Sequence, residues 1–462
     1  PMEASDDASA FFHSPIPSSS CEEEKESASI GKKRRRSPVS SSSEEDSDPD
    51  QDDAGNTKSK KSKRNRRKNI RKIQEGPPKD EKARDAIRQE EERQRRLKDR
   101  LAEEKSNTTI GKHEAYQRFW DGCINPTAPP EDRVHVLPEI ARILKPHQIE
   151  GVKFMWYNVA ESLKRAKKEK GLGCILSHVM GLGKTIQAVT LMELFMRYKV
   201  GNHCLVIAPV STTRNWVHEL RNKWISKKNE VFVFEMSKGF KTNSDRCAAL
   251  KRWSSIGGVF ILGFEMFRNL VQGGRIRNEE LKTKMQSLIL KTPSLIVVDE
   301  GHKIKNDRSG IGQAIKQVQT MRRIILTGTP LQNNLMEYYC MVDFVRPKYL
   351  GTRSEFLNQF VNPIKNGQCI DSSTYDKKLM RKRAFALNDA LKGFVHRRDY
   401  SDIEKELPPK HDYSIFVRLS PVQKALYKAF LKVRPNSMFK SYHTLSKIST
   451  HPDVLYKLAN EN

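Results

Sequence analysis

The chain is 462 residues long, 37% hydrophobic and 30% charged, with a formal net charge of +28. No run reaches the roughly 20 apolar residues of a membrane-crossing helix and no apolar leader opens the chain, which argues against a membrane or secreted protein. Seven cysteines without a C-x-x-C pair support neither a zinc site nor a disulfide framework and fit a reducing compartment. A chain that begins at Pro1 rather than methionine reads as a fragment.

The charge is unevenly placed. Residues 1–108 hold 26 basic and 24 acidic residues, whereas residues 109–462 hold 58 basic against 32 acidic ones. The basic excess therefore sits on the part expected to fold, and a polyanionic partner should lie against it. No basic amphipathic helix supports a membrane surface as that partner.

In chain order, residues 1–78 read as a disordered tail, rich in Ser, acidic and basic residues and poor in apolar ones. Two basic clusters, Lys32–Arg36 and the stretch from Lys58 to Lys72, flank the acidic serine tract Ser41–Asp53 and predict nuclear import. Residues 79–108 lack Gly and Pro after Asp80 and carry Glu-to-Arg pairs at i,i+4, Glu91/Arg95 and Glu92/Arg96. With Ile87, Leu97 and Leu101 as its only large apolar residues, this segment predicts a lone, solvent-exposed charged helix rather than a coiled coil.

From about residue 109 short apolar runs alternate with amphipathic stretches. The runs are Cys174–Leu176, Cys204–Ile207, Val231–Phe234, Val259–Leu262, Leu295–Val298 and Ile324–Leu326. Unalternating runs of this length predict strands covered on both faces, and hence an α/β fold with a parallel sheet and helices on both sides.

The first run leads through Ser177-His178-Val179-Met180-Gly181-Leu182-Gly183-Lys184-Thr185 into a helix beginning near Ile186. Strand, glycines and helix in series form a phosphate-binding loop: Gly181 and Gly183 let backbone N–H groups approach phosphate, Lys184 reaches the β/γ-phosphates and Thr185 ligates Mg²⁺. His178 stands where the pattern has its first glycine. The run Leu295–Val298 ends in Asp299-Glu300-Gly301-His302, offering Asp299 to the metal and Glu300 to the attacking water. Next comes Thr327-Gly328-Thr329-Pro330-Leu331-Gln332-Asn333, whose hydroxyls and glycine at a strand end suit it to sensing phosphate beside the acidic pair. Trp216 and Trp224 read as core packing.

These blocks, with Leu144-Lys145-Pro146-His147-Gln148-Ile149-Glu150-Gly151-Val152 before them and Arg397-Arg398, Leu407-Pro408-Pro409-Lys410 and Leu419-Ser420-Pro421-Val422-Gln423 after them, resemble the first motor lobe of Swi/Snf-type chromatin-remodelling ATPases. Ser-His-Val-Met in place of the usual Ala-Asp-Glu-Met, and Asp-Glu-Gly-His in place of Asp-Glu-Ala-His, resemble the ATRX/XNP subfamily. The resemblance implies a RecA-like ATP-binding lobe over 109–335, with a helical protrusion and a lead toward a second lobe over 336–462.

By the same resemblance Gln148 reads adenine, with Gly181, Leu182, Gly183, Lys184 and Thr185 holding ATP, Thr185 and Asp299 holding Mg²⁺, and Lys184, Asp299 and Glu300 doing the chemistry. Pro209, Thr212, His302, Thr327, Gly328, Thr329, Gln332 and Asn333 are implied to touch duplex DNA or couple it to the nucleotide. Double-stranded DNA, nucleosomes and a histone chaperone are the implied partners, in the nucleus. The resemblance also implies a second lobe whose arginines accelerate hydrolysis by a factor on the order of 10³–10⁵. These 462 residues are therefore expected to bind Mg-ATP weakly, bind DNA, and hydrolyse ATP slowly by themselves. The alternative is a chromatin-binding scaffold without significant ATPase activity.

Overall fold

The computed structural model describes residues 78, 80–107, 120–224, 231–236, 240, 242–274, 276–328, 335–402, 404, 408–433 and 438–460. Residue contacts divide the chain into two compact units, one ending at Ile403 and the other beginning at Glu404.

Among the described residues of the first unit, seven strands form one parallel sheet: β1 (Cys174–His178), β2 (His203–Ala208), β3 (Val233–Glu235), β4 (Gly258–Gly263), β5 (Leu295–Val298), β6 (Arg323–Thr327) and β7 (Val395–Arg398), in the order β3-β4-β2-β5-β6-β1-β7. Every residue of β1, β4, β5 and β6 is buried, so both faces of the sheet are covered, as the apolar runs required. All six expected strands are present, β3 two residues later than its apolar run suggested. β7 has no apolar run, and its Val-His-Arg-Arg sequence is tolerated because it lies at the sheet edge, half-exposed.

Four helices carry residues discussed below: α1 (Glu81–Asn107), α2 (Pro146–Val159), α3 (Lys184–Arg197) and α4 (Val210–His218). At the end of the sheet where β6 begins, Arg322 and Arg323 are buried and donate to main-chain carbonyls. Arg322 reaches Val159, Ala166 and Glu169 at 2.6–2.9 Å, and Arg323 reaches Thr320, Phe344 and Val318 at 2.7–2.9 Å. Several of these are carbonyls that a helix end leaves without a partner. Burial pushes Arg323 down to about 10, which still leaves it charged at neutral pH.

α1 corrects one expectation. It is helical as foreseen, but Ala83, Glu90 and Arg93 are buried against the lobe. Glu90 pairs with Arg93 at 2.6 Å and with Arg346 at 3.4 Å, and Arg93 donates to Gly393 O at 2.7 Å. Arg96 pairs with Glu161 at 3.0 Å. Charges that satisfy one another can be buried where single charges cannot, so a helix with almost no apolar face still packs.

The second unit has an extended, exposed stretch over 408–420, then helices at Pro421–Val433, Met438–Thr450 and Pro452–Asn460. Gln423 Nε2 donates to the carbonyls of Ile448 and Ser449, both at 3.0 Å.

Candidate nucleotide site

β1 delivers the chain to the loop Val179–Gly183. Gly181 (φ 89°) and Gly183 (φ 73°) are both left-handed, a backbone region glycine enters without steric cost. Gly183 caps α3, and a Cβ there would lie 2.4 Å from Gln148 Nε2. The helix begins at Lys184, two residues before Ile186, so Lys184 and Thr185 occupy the first turn, whose N–H groups have no helical acceptor.

Lys184 Nζ donates to the carbonyls of His178 (2.8 Å) and Val179 (3.2 Å). Burial lowers the pKa of this ammonium, while the nearby charges of Glu300 and Asp299 pull it back up. Sheet register explains the proximity. β6 lies between β1 and β5, with Ser177 opposite Thr327 and Val298 opposite Ile325. The Val179–Gly183 loop, the acidic pair and the Thr-Gly turn thus leave the sheet at its carboxyl end. A Cβ at Gly328 would lie 3.7 Å from Lys184 Nζ and 3.4 Å from Met180 Cγ, in van der Waals contact with the loop.

Asp299 is held on three sides. Its N–H donates to Ile207 O (2.8 Å), its Oδ1 accepts from Glu300 N (3.0 Å) and its Oδ2 accepts from the indole of Trp216 (2.9 Å). Glu300 takes a left-handed φ of 52°, uncommon for a residue with a side chain, and its Oε2 lies 3.2 Å from His302 Nδ1. Gly301 has a local reason: a Cβ there would meet Ile325 Cγ2 at 2.1 Å.

Gln148 sits in the first turn of α2. Its Oε1 accepts from Lys145 N (3.0 Å), and its Nε2 donates to Leu182 O (3.3 Å), which also lies 3.2 Å from His147 Nε2. Pro209 caps α4, and the Thr212 hydroxyl donates back to its carbonyl at 3.0 Å. Thr327 is buried at the end of β6. Thr329, Gln332 and Asn333 lie outside the described residues, as does the side chain of Trp224.

Two features escaped the sequence reading. Trp216 is buried, as a core residue should be, but its N–H serves Asp299 from 83 residues away. His178, which breaks the glycine pattern, is fully buried, and its Nε2 lies 2.8 Å from His396 Nδ1 on β7. Gln187 Nε2 reaches His178 Nδ1 (3.3 Å) and the loop carbonyls of Leu182 and Gly183 (3.1 and 3.2 Å). An imidazole at 178 spans from the loop to β7, which a glycine could not do.

The loop, the Thr-Gly turn and the acidic strand end thus lie side by side at the carboxyl end of the sheet, the turn between the other two. The SNF2-related domain matches residues 147–460. The chain belongs to that family. As an SNF2-related domain it is 38% identical over 409 residues to a Drosophila melanogaster protein named transcriptional regulator ATRX homolog, covering 83% of this chain and 30% of the relative. It is 38% identical over 407 residues to the Mus musculus helicase ARIP4 (77% and 27%), and 43% identical over 328 residues to the Homo sapiens transcriptional regulator ATRX (67% and 13%). The ATRX-type resemblance holds, with ARIP4 helicases as similar, and the chain spans less than a third of each of these relatives. Among solved structures, a Sulfolobus solfataricus SWI2/SNF2 ATPase core in complex with double-stranded DNA aligns at 24% identity and a TM-score of 0.42, over 68% of this chain and 59% of the other.

Proposed function

We propose that this chain carries the ATP-binding lobe of a DNA-translocating chromatin remodeller, acting in the nucleus on duplex DNA and nucleosomes. The observation that carries the reading is that β1, β6 and β5 are neighbours in register, so that the loop of Lys184, the turn at Gly328 and the Asp299-Glu300 pair leave the sheet side by side at the strands' carboxyl ends.

The donor set fits Mg-ATP. Gly181 and Gly183 hold the loop open for phosphate, and the Thr185 hydroxyl and Asp299 carboxylate are the hard oxygen ligands Mg²⁺ prefers. Bound Mg-ATP would supply the phosphoanhydride and a cation that neutralises its charge. Lys184 exchanges the His178 and Val179 carbonyls for phosphate oxygens. Trp216 keeps Asp299 oriented, and Glu300 accepts the proton of the attacking water, with His302 steadying its carboxylate. Gln148 offers its amide to adenine by giving up Leu182 or Lys145. Pro209, Thr212, Thr327, Gly328, Thr329, Gln332 and Asn333 are assigned to DNA contact and coupling. The basic excess of residues 109–462 supports the DNA assignment.

The test is Mg²⁺-dependent binding of a fluorescent ATP analogue, followed by single-turnover hydrolysis with and without duplex DNA. Lys184→Ala should weaken binding more than about tenfold, whereas Glu300→Gln should bind normally and fail to hydrolyse. Unchanged binding by Lys184→Ala would refute the assignment.

A further inference from the structure

Cysteine spacing argued against a metal site, yet the fold brings together three donors that are distant in sequence. The segment before α2 folds back on itself through an antiparallel bridge between Cys123 and His135. The flanking bonds, Ile124 N to Val134 O and Val136 N to Gly122 O, both 2.9 Å, leave Cys123 and His135 as a non-hydrogen-bonded cross-strand pair. In such a pair the side chains share a face and sit close together. Gly122, at φ 82°, turns the chain so that Asp121 joins them, its Oδ1 accepting the Cys123 N–H at 2.9 Å. One donor atom from each of Asp121, Cys123 and His135 lies within 4.8 Å of the other two.

We propose that Asp121, Cys123 and His135 bind a zinc-class divalent cation. Sulfur, imidazole nitrogen and carboxylate oxygen are the ligands Zn²⁺ takes, and three protein ligands leave a fourth, tetrahedral position for water. The charges close: a thiolate and a carboxylate neutralise a dication, while the imidazole stays neutral. Binding forms the Sγ–metal bond and releases the thiol proton to solvent. Among the described residues none hydrogen-bonds a ring nitrogen of His135, and the Cys123 thiol donates only a long hydrogen bond, to Asn125 Oδ1 at 3.9 Å, so little has to be displaced.

The backbone of His135 is tied to the far end of α3: its N–H donates to Tyr198 Oη at 2.8 Å and its carbonyl accepts from Arg197. α3 starts at Lys184. A cation here clasps the lead-in segment to the helix that presents the phosphate-binding lysine.

The test uses the full 462-residue chain in a Cys21→Ser/Cys369→Ser background, chelator-stripped and titrated with Co²⁺ and then Zn²⁺. The expected result is one equivalent of Co²⁺ with a sulfur-to-cobalt charge-transfer band that Zn²⁺ displaces. Cys123→Ser should abolish the band. His135→Gln, which leaves the buried thiol in place, should weaken Co²⁺ binding more than about tenfold with an unchanged circular dichroism spectrum, since even outer-shell changes cost that much. No band, or a band that survives Cys123→Ser, would overturn the site. Nucleotide binding plays no part in the readout, so the site and the ATP assignment stand or fall separately.

Discussion

The indole N–H of Trp216 on α4 donates to Oδ2 of Asp299 at the end of β5, 2.9 Å away, with the indole almost wholly buried. A hydrogen bond to a charged group is worth about 1.5–3 kcal/mol. With the Glu300 N–H on Oδ1, it holds the carboxylate in one orientation. Trp216→Phe keeps most of the packing and removes the donor. The chain should stay folded, lose about 1–3 kcal/mol in a denaturant titration, and bind Mg-ATP about tenfold more weakly. Equal nucleotide affinity in the variant would show that Trp216 only packs.

The His178–His396 pair gives a pH dependence. Burial, and then the neighbouring positive groups, push His178 down to about 3 and His396 to about 4. For His178 those neighbours are His396, His147, Lys184 and Arg398, and for His396 they are Arg398 and His147. Folded values below the ordinary 6.5 mean that the unfolded chain takes up protons first. This stability is full above pH 6.5 and is lost as the pH falls toward about 4. The melting temperature should drop on going from pH 7.5 to 5, and more steeply than in a His178→Gln/His396→Gln double variant. Parallel slopes for the two proteins would remove the pair from the account.

The contact between α1 and the lobe rests on Glu90. Burial raises the Glu90 carboxyl, but Arg346 and Arg93 more than reverse this and hold it below the usual range. Removing one member of a buried ionic network leaves the others uncompensated, at about 3–5 kcal/mol. Glu90→Gln should therefore lower the melting temperature and open α1 to limited proteolysis near Arg93, whereas Glu91→Gln, on the exposed side, should do neither. Identical digestion of the two variants would place the docking energy elsewhere.

Duplex DNA binding should follow phosphate charge. The logarithm of affinity should fall linearly with that of salt, with a slope of about −0.9 per phosphate contacted, and show little sequence preference. A filter-binding series over several salt concentrations and two unrelated duplexes checks this; a flat salt response would contradict it.

The strand plan was readable because each central strand is an unbroken apolar run, a one-dimensional pattern. The positions of Lys184 and Thr185 after β1, and of Asp299 and Glu300 after β5, were equally readable, since each follows an apolar run. Gly301 and His178 were visible as departures from a pattern, but their reasons, Ile325 and His396, lie on other strands. β7 went unread because an edge strand has no need of an apolar run, and α1 was misjudged because its buried face is ionic.

The sequence by itself determined which segments become strands and which residue types sit at their ends, because backbone propensity, burial and glycine geometry act over a few residues. Only the tertiary structure decided that Trp216 serves Asp299, that His178 meets His396, that Glu90 is buried between Arg93 and Arg346, and that Asp121, Cys123 and His135 share one face. Each of these contacts depends on how strands are ordered and chains folded back, and that order is set by the packing of the whole sheet, which no local pattern records.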